Sequence, residues 1–315
     1  MKAGLRSWMP ALLPLLALLL LLGIVGAVKP SFVSALSLQT MAMQSVFVAL
    51  PALGMTFVVI AGGIDISIGS VVAFCAVACA WAVRDGAHPS LAALLATAIG
   101  GTFGLANGLL VTRLAVAPFL VTLGTMGIAR GLAKRLAEDQ KIDADPGFLA
   151  DLVRNRPPMP WMLVGPAAWI LVLALGALLL LLRRTVFGLH VISVGSDPRN
   201  AQLCGVPVAR TQVLVYSLCG LCAGFVGALQ FAELGCGIPT AASGLELQVV
   251  AAVVIGGASL AGGEGSLLGA VFGAMLTVAL KAACTQLGIA DHWQDVLVGA
   301  VIVGAVALDR WRTKG

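Results

Sequence analysis

The chain has 315 residues, of which 60% are hydrophobic and only 10% charged, and its mean hydropathy is +1.03. Soluble domains carry roughly 25% charged residues, so the composition excludes a sizeable water-soluble catalytic domain. The net charge of +5 does not indicate a nucleic-acid-binding protein. The basic residues lie largely in loops and tails, as orientation in a membrane requires, and form no patch interleaved with aromatic residues.

Apolar segments long enough to cross a membrane follow one another along the chain. A spanning helix needs about 20 mostly apolar residues, and the chain has room for about ten. The first, at 9–28, is too long for the apolar core of a signal peptide and is predicted as an uncleaved helix. Glycines between 100 and 108, in the fourth span, indicate close packing against another helix. We predict an all-α polytopic membrane protein with a single transmembrane domain over 1–315, whose other spans lie at about 36–61, 71–81, 91–111, 116–131, 161–182, 213–231, 249–260, 267–287 and 293–308.

A glycine-rich stretch from Gly62 to Ser70 separates the second and third predicted spans. Glycine permits a bend or a close backbone approach. Backbone that leaves a helix at membrane depth must be buried in protein or line a wet cavity. We therefore predict a break between two membrane helices, at or beside the channel and away from lipid. Asp65 or Ser67 is expected to cap the next helix, and direct contact of Asp65 with a passing substrate is the alternative.

A second interruption follows the eighth predicted span, which at 249–260 is too short to cross a membrane alone. This segment has the same pattern as the first break. It contains paired glycines at 256–257 and 262–263, then one acid, and then a Gly-Ser pair before a new helix. Paired glycine-interrupted segments indicate a transport pathway. Glu246 precedes the apolar helix and is predicted to cap it, with a ligand contact as the alternative.

Two polar segments interrupt the series of spans. The first, at 137–160, carries mixed charges and is predicted as an aqueous loop on the outer side. The second, at 183–212, contains glycines and prolines that exclude one long helix. A short helix is expected there at about 198–203, with Asp197 as its N-cap and Pro198 as its first residue. Ten spans place both termini and the segment 183–212 in the cytoplasm, the side that basic residues favour.

No metal site, redox site or cofactor is expected. Cys219 and Cys222 have the spacing of a redox or metal-binding pair, but they lie in an apolar helix without a second pair or a nearby histidine. His88, His190 and His292 are far apart in sequence and share no ligand spacing. Most of the other cysteines lie in apolar runs, where cysteine behaves as a small hydrophobic residue, so no disulfide framework is predicted.

The residues GGIDISIGS at 62–70 strongly resemble the signature of ribose/xylose/arabinose-type permeases, the membrane subunits of bacterial ATP-binding-cassette (ABC) sugar importers. The resemblance implies a multi-pass permease of the inner membrane, without enzymatic activity, that translocates a ribose-like monosaccharide. A branched-chain amino acid, a nucleoside or an autoinducer is an alternative cargo within the same superfamily. An intramembrane hydrolase, which needs paired acids or a Ser/His pair within spans, is the remaining alternative. Further matches follow in the family's order over nearly the whole chain, at 107–108, 118–124, 130–131, 185–188, 200–201, 205–208, 243–247, 251–257 and 262–266.

The resemblance also implies partners and site residues. The implied partners are an ABC ATPase subunit that uses ATP, an extracytoplasmic sugar-binding protein, and a second permease copy in a homodimer or heterodimer. The implied translocation pathway and broken-helix motifs contain Gly62, Gly63, Asp65, Ser67, Gly69, Asn107, Phe119, Thr122, Glu246, Gly256, Gly257, Gly262 and Gly263. The implied surface for coupling to the ATPase contains Phe187, Gly188, Gly195, Arg199, Asn200, Ala201, Gly205 and Pro207.

Overall fold

A computed structural model describes residues 9–114, 116–155 and 162–290, with some positions between 292 and 304. The described part of the chain is mainly helical and contains only two strands of two residues each, which confirms the predicted all-α class. The last predicted span, at 293–308, falls largely outside the described residues. The helices are α1 (Met9–Val28), α2 (Ala35–Ile60), α3 (Ile68–Arg84), α4 (Pro89–Leu114), α5 (Pro118–Leu136), α6 (Leu149–Leu152), α7 (Pro166–Arg184), α8 (Val186–Ser196), α9 (Pro198–Leu203), α10 (Val208–Leu234), α11 (Leu245–Ile255) and α12 (Leu267–Gln286), and a 3-10 turn lies at Pro30–Val33.

Five of the described helices, α2, α4, α7, α10 and α12, are long and apolar enough to cross a membrane. Shorter apolar helices lie at Leu12–Val28, Ile68–Arg84, Val186–Ser196 and Leu245–Ile255. Two of these, α3 and α11, are short because each adjoins a non-helical segment: α3 follows 61–67 and α11 precedes 256–266. The helices therefore form a polytopic membrane fold in which two spans are incomplete.

Helix α10 lies at the centre of the fold and packs against α2, α3 and α4. The predicted close packing of the fourth span is confirmed, because the glycines of α4 face the backbone of α10. A Cβ on Gly100 would lie 2.3 Å from the carbonyl oxygen of Gly220, and one on Gly104 would lie 2.1 Å from that of Tyr216. No larger residue fits at these positions unless the two helices separate.

A two-stranded antiparallel sheet joins the first polar segment to the end of α10. Strand β1 (Ile142–Asp143) pairs with β2 (Cys236–Gly237), and Ile142 lies opposite Gly237. A Cβ on Gly237 would lie 2.7 Å from the Cα of Val77, so this sheet packs closely on α3. The sequence did not predict this pairing, since strands of two residues carry no periodic signal.

The second polar segment contains two helices where the sequence predicted one. The predicted helix is confirmed as α9, since the Asp197 carboxylate accepts hydrogen bonds from the N–H groups of Arg199 and Asn200 at 2.9 and 3.0 Å. Helix α8 was not predicted. It begins after Thr185, whose hydroxyl accepts from the N–H of Gly188, and its Val191 and Val194 are fully buried. Helix α8 is therefore built into the membrane domain, and α9 projects beyond it.

Candidate functional site

The first break is a non-helical segment at 61–67, between the end of α2 at Ile60 and the start of α3 at Ile68. The predicted break extended to Ser70. Gly69 and Ser70 instead belong to the first turn of α3, because the chain resumes helical hydrogen bonding from Ser67, whose carbonyl accepts the N–H of Val71 at 2.9 Å. The bend itself uses Gly62, which has a φ of +81°.

Asp65 is the buried carboxylate of the first break, with 2% of its surface exposed. Its Oδ1 accepts from the backbone N–H of Ser67 at 2.9 Å and from the Ser67 hydroxyl at 2.6 Å. The Asn107 amide donates to Asp65 Oδ2 at 3.3 Å and to Ser67 Oγ at 3.0 Å. Asp65 thus closes a turn ahead of α3, whereas Ser67, at the N-cap position, makes no side-chain cap bond.

Two further side chains satisfy the backbone of the first break. The Thr122 hydroxyl on α5 accepts from the N–H of Ile66 at 3.2 Å, and the Tyr216 hydroxyl on α10 donates to the carbonyl of Ile64 at 3.3 Å. A Cβ on Gly63 would lie 2.5 Å from Tyr216 Oη. Tyr216 is the one tyrosine of the chain, and sequence reasoning did not single it out. The available signal was a phenol hydroxyl within an apolar helix, which needs a partner when buried.

The second break, at 256–266, forms most of its hydrogen bonds within itself or with the helices α11 and α12 that it joins. The N–H of Ser259 donates to the carbonyl of Glu264 at 3.1 Å, and the N–H of Gly262 donates to the carbonyl of Ser259 at 3.0 Å. The Ser266 hydroxyl accepts from the N–H of Gly269 and caps α12. Glu264, the acid of this break, is exposed. The second break therefore needs few side chains from elsewhere.

The two breaks touch each other. The N–H of Gly263 donates to the carbonyl of Ile60 at 2.8 Å, at the point where α2 ends. A Cβ on Gly262 would lie 3.2 Å from the Cα of Gly62. Gly257 also has a positive φ, of +85°, and a Cβ on Gly256 would lie 2.4 Å from the backbone N of Ala270. The predicted glycines thus permit contacts between backbones that side chains would prevent.

Glu246 lies at the other end of α11 and approaches the start of α3. Its Oε1 accepts from the N–H of Gly244 at 3.2 Å, in a cap-like contact at the start of α11. A Cβ on Gly69 would lie 2.2 Å from Glu246 Oε2. Nearby, Arg130 Nη1 on α5 donates to the carbonyls of Pro239 and Ala241 at 2.7 and 2.9 Å. These bonds tie α5 to the irregular segment before α11.

The remaining predicted residues lie elsewhere. Phe119 is 47% exposed on α5, and its backbone carbonyl accepts from the Thr122 hydroxyl at 3.2 Å. On the coupling segment, Phe187 stacks on Phe57 of α2 with ring centroids 6.3 Å apart. Ala201 is buried, while the other members that belong to α9 or follow it are exposed: Arg199, Asn200, Gly205 and Pro207. These members of the coupling segment make none of the hydrogen bonds that hold Asp65.

The first polar segment carries exposed ion pairs. Lys141 contacts Asp143 at 3.0 Å, and Arg154 contacts Asp151 at 3.0 Å. The hydrogen bond to Asp143, together with its charge, raises the pKa of Lys141. Exposed pairs of this kind contribute little to stability, so this charged surface is available for contacts with other molecules.

Comparison with known proteins agrees with this architecture. The family model described as "Branched-chain amino acid transport system / permease component" matches residues 37–306. The ribose import permease protein RbsC of Bacillus subtilis (strain 168) is 36% identical over 298 residues, which cover 94% of this chain and 92% of the relative. The autoinducer 2 import system permease protein LsrC of Yersinia enterocolitica is 32% identical, with 95% and 81% covered. The fructose import permease protein FrcC of Rhizobium meliloti is 32% identical, with 97% and 86% covered. No solved structure matches.

Proposed function

The chain belongs to the family of branched-chain amino acid transport system permease components, and from this membership we propose that it passes a ribose-like monosaccharide through the inner membrane as the permease subunit of an ABC importer. It is a transport subunit and not an enzyme. The observation that carries the choice of cargo is the 36% identity to a ribose import permease across 94% of this chain.

The two breaks are the proposed wall of the translocation pathway. Non-helical backbone at membrane depth is tolerated only inside protein or beside a water-filled cavity, and the segments 61–67 and 256–266 are held together by the bond from Gly263 to Ile60. Asp65 has a positioning role in this proposal. Its oxygens are occupied by Ser67 and Asn107, so the carboxylate shapes the wall and does not bind the sugar.

The proposed ATPase contact is the exposed surface of α8 and α9. Val186 and Leu189 are each 65% exposed, and Leu203 is 81% exposed. Arg199 adds a positive charge on α9. Apolar residues beside a charge suit a protein interface, and the opposite face of α8 is anchored in the membrane domain.

The other two proposed partners meet the permease elsewhere. The extracytoplasmic binding protein contacts the charged segment at 137–155, where exposed charges of both signs suit a transient, salt-sensitive contact. A second permease copy packs on α5. Within the part of the chain that the structure describes, the glycines at 124, 127 and 131 have no neighbouring atom within 4 Å of an added Cβ, in contrast to the packed glycines of α4. Small residues let membrane helices approach closely.

Native Cys204 provides a test of orientation, because it is exposed and directly follows α9. With both termini in the cytoplasm, a membrane-impermeant thiol reagent labels Cys204 in inside-out vesicles and not in intact cells. A cysteine at Asp151 shows the opposite pattern. The Cys204→Ser protein is the control for labelling of the other cysteines. Labelling of Cys204 from outside intact cells would contradict the proposed orientation.

The cargo is tested by uptake into vesicles that contain the permease, its ATPase subunit and its binding protein. We expect ATP-dependent accumulation of radiolabelled ribose, and none of leucine. Fructose and autoinducer 2 are the competing cargoes, because permeases for them are 32% identical to this chain. Accumulation of either of these in preference to ribose would reassign the cargo, and absence of ATP-dependent uptake of every solute would contradict the proposed transport function.

A further inference from the structure

Gly195 occupies a position at which the coupling segment touches both breaks. It lies near the end of α8, two residues before the Asp197 cap of α9. A Cβ on Gly195 would lie 1.6 Å from the carbonyl oxygen of Ile60 and 2.6 Å from the backbone N of Gly263. These two atoms form the hydrogen bond that joins the breaks. The backbone of α8 therefore rests on that bond, and no side chain fits between them.

The neighbours of Gly195 extend the same contact. A Cβ on Gly262 would lie 2.7 Å from the carbonyl oxygen of Gly195, and one on Gly263 would lie 2.7 Å from the Ser196 hydroxyl oxygen. Three separate stretches of backbone thus meet without intervening side chains. Contact of this kind transmits displacement directly, because close-packed backbone has no room to absorb a shift.

Helix α8 is suited to carry such a displacement as a rigid unit. Val191 and Val194 are completely buried on its inner face, and α8 packs against α2, α7 and α10. Its outer face continues into α9 through the Asp197 cap, whose carboxylate binds the first N–H groups of that helix. A movement applied to α9 therefore reaches Gly195 without an intervening flexible loop.

We propose that Gly195 is a positioning residue for transport: its bare backbone transfers movement of α9 to the Ile60–Gly263 bond, so that both breaks move together. This inference rests on the proposed function, and it assigns to one position the step that links ATP hydrolysis to opening of the pathway. A side chain at 195 separates α8 from the breaks, and ATP is then hydrolysed without transport.

The test compares Gly195→Ala with Gly100→Ala in the complete complex reconstituted with its ATPase and binding protein. Gly100 lies on α4 and is also crowded by backbone, since its Cβ would lie 2.3 Å from the carbonyl oxygen of Gly220, and the nearest atoms to this Cβ belong to α10 and not to either break. The measured quantity is the amount of radiolabelled ribose taken up per ATP hydrolysed, with the amount of assembled complex determined separately. We expect Gly195→Ala to lower this ratio at least tenfold, and Gly100→Ala to reduce only the amount of complex.

A second experiment adds bulk beside Gly195 after the complex has folded and assembled. It tests the proposal even if the Gly195→Ala protein does not assemble. Ser196→Cys in a Cys204→Ser background is assembled first and then modified with methanethiosulfonate reagents of increasing size. The exposed position 193 on the same helix, as Ser193→Cys, receives the same reagents as the control. Because position 193 lies on the proposed ATPase contact, its modification should lower ATP hydrolysis and ribose uptake together. Uptake per ATP should therefore fall with reagent size at position 196 and stay constant at position 193.

The outcomes separate the two proposals. An unchanged ratio in Gly195→Ala, or in fully modified Ser196→Cys, overturns the role of Gly195. Equal loss at positions 193 and 196 also overturns it, since the effect would then belong to the whole surface of α8. If the unmodified wild-type complex hydrolyses ATP but takes up no ribose, the proposed cargo fails.

Discussion

The first break takes side-chain hydrogen-bond partners from α4, α5 and α10, whereas the second break bonds mainly within its own turn and to the helices that adjoin it. Both carry paired glycines and one acid. In the first, the acid Asp65 is buried and bound by Asn107. In the second, the acid Glu264 is exposed and contributes its backbone carbonyl to the turn. Similar residue patterns therefore produce one break held by the surrounding helices and one held locally.

This difference determines how each break responds to substitution. Removing a side chain that supports the first break leaves a buried donor without an acceptor, at a cost of about 1–3 kcal/mol for each group. The second break keeps most of its bonds when a side chain changes, because they join backbone atoms; the exceptions use the hydroxyls of Ser259 and Ser266. Substitutions of corresponding residues in the two breaks should therefore have very different effects.

The largest effect is expected for Asp65→Leu. The N–H and the hydroxyl of Ser67 lose their acceptor while they remain buried, and the Asn107 amide loses one of its two acceptors, so the protein should be destabilised by about 2–5 kcal/mol. The measurement is the yield of monodisperse permease in detergent together with its thermal stability. Asp65→Asn should be much milder, because it keeps an acceptor for Ser67, and after rotation of the Asn107 amide it can donate to Asn107 Oδ1, which has no partner among the described residues. A stable, active Asp65→Leu protein would contradict the role of Asp65 in holding the break.

The next largest effect is expected at Gly63, where a Cβ would lie 2.5 Å from Tyr216 Oη. Gly63→Val should be worse than Gly63→Ala, since it adds bulk and branching at the same place. Tyr216→Phe removes the obstructing oxygen, so the cost of Gly63→Ala should be smaller in the Tyr216→Phe background by about 1 kcal/mol. The second break offers the comparison Gly265→Ala, in which the Cβ meets the Ile60 side chain at 2.7 Å and the Ala258 Cβ at 3.3 Å.

The loss of stability at Gly63 is measured by thermal unfolding of the four proteins of a double-mutant cycle: wild type, Gly63→Ala, Tyr216→Phe and the double variant. Additive effects in this cycle would show that the two residues do not restrict each other. A Gly265→Ala protein as unstable as Gly63→Ala would remove the proposed contrast between the breaks.

A smaller effect is expected for Thr122→Val, which keeps the shape of the side chain and removes the acceptor for the N–H of Ile66. We expect a loss of about 1–2 kcal/mol. Thr125→Val is the matched control on the same helix, because its hydroxyl donates to the carbonyl of Thr122 and its loss leaves no N–H group of the break unpaired. Thermal stability in detergent distinguishes the two variants. Equal losses would indicate general sensitivity of α5.

The smallest effect is expected for Glu264→Gln in the second break. The side chain is exposed and the bond to Ser259 uses the backbone carbonyl of residue 264, so stability should change by less than about 0.5 kcal/mol. Ribose uptake by the complete complex should also stay within twofold of wild type. A severe loss of uptake with unchanged stability would show that this carboxylate serves transport directly. The two breaks would then differ in their roles in transport as well as in their effects on stability.

The features that sequence reasoning found are those with local signals. Helix α9 was correctly placed because its cap, its first proline and the glycine that follows it are close in the chain. Both glycine breaks were located for the same reason, although the first ends three residues earlier than predicted, at Ser67. Length and hydropathy placed the long helices without any knowledge of their neighbours.

The features that escaped prediction depend on contacts between distant residues. Asn107 and Thr122 were identified only through a family resemblance, and nothing nearby in sequence indicates their bonds to Asp65, Ser67 and Ile66. Arg130 falls at the end of the predicted span 116–131, and nothing near it in sequence indicates that it binds the carbonyls of Pro239 and Ala241. Which helices meet is decided by packing over the whole chain, and one sequence contains little direct information about it.

The bond between Tyr216 and Ile64 also has a consequence for biosynthesis. The two residues are separated by 152 positions, so at a ribosomal rate of about 5–20 residues per second the tyrosine follows the isoleucine by roughly 8–30 s. During that interval α2 and α3 are already inserted while the first break lacks one of its supports. A nascent chain that ends before α10 is therefore an unfinished membrane domain, whatever number of helices it has already placed in the bilayer. Completion of the first break waits for α10 to leave the ribosome.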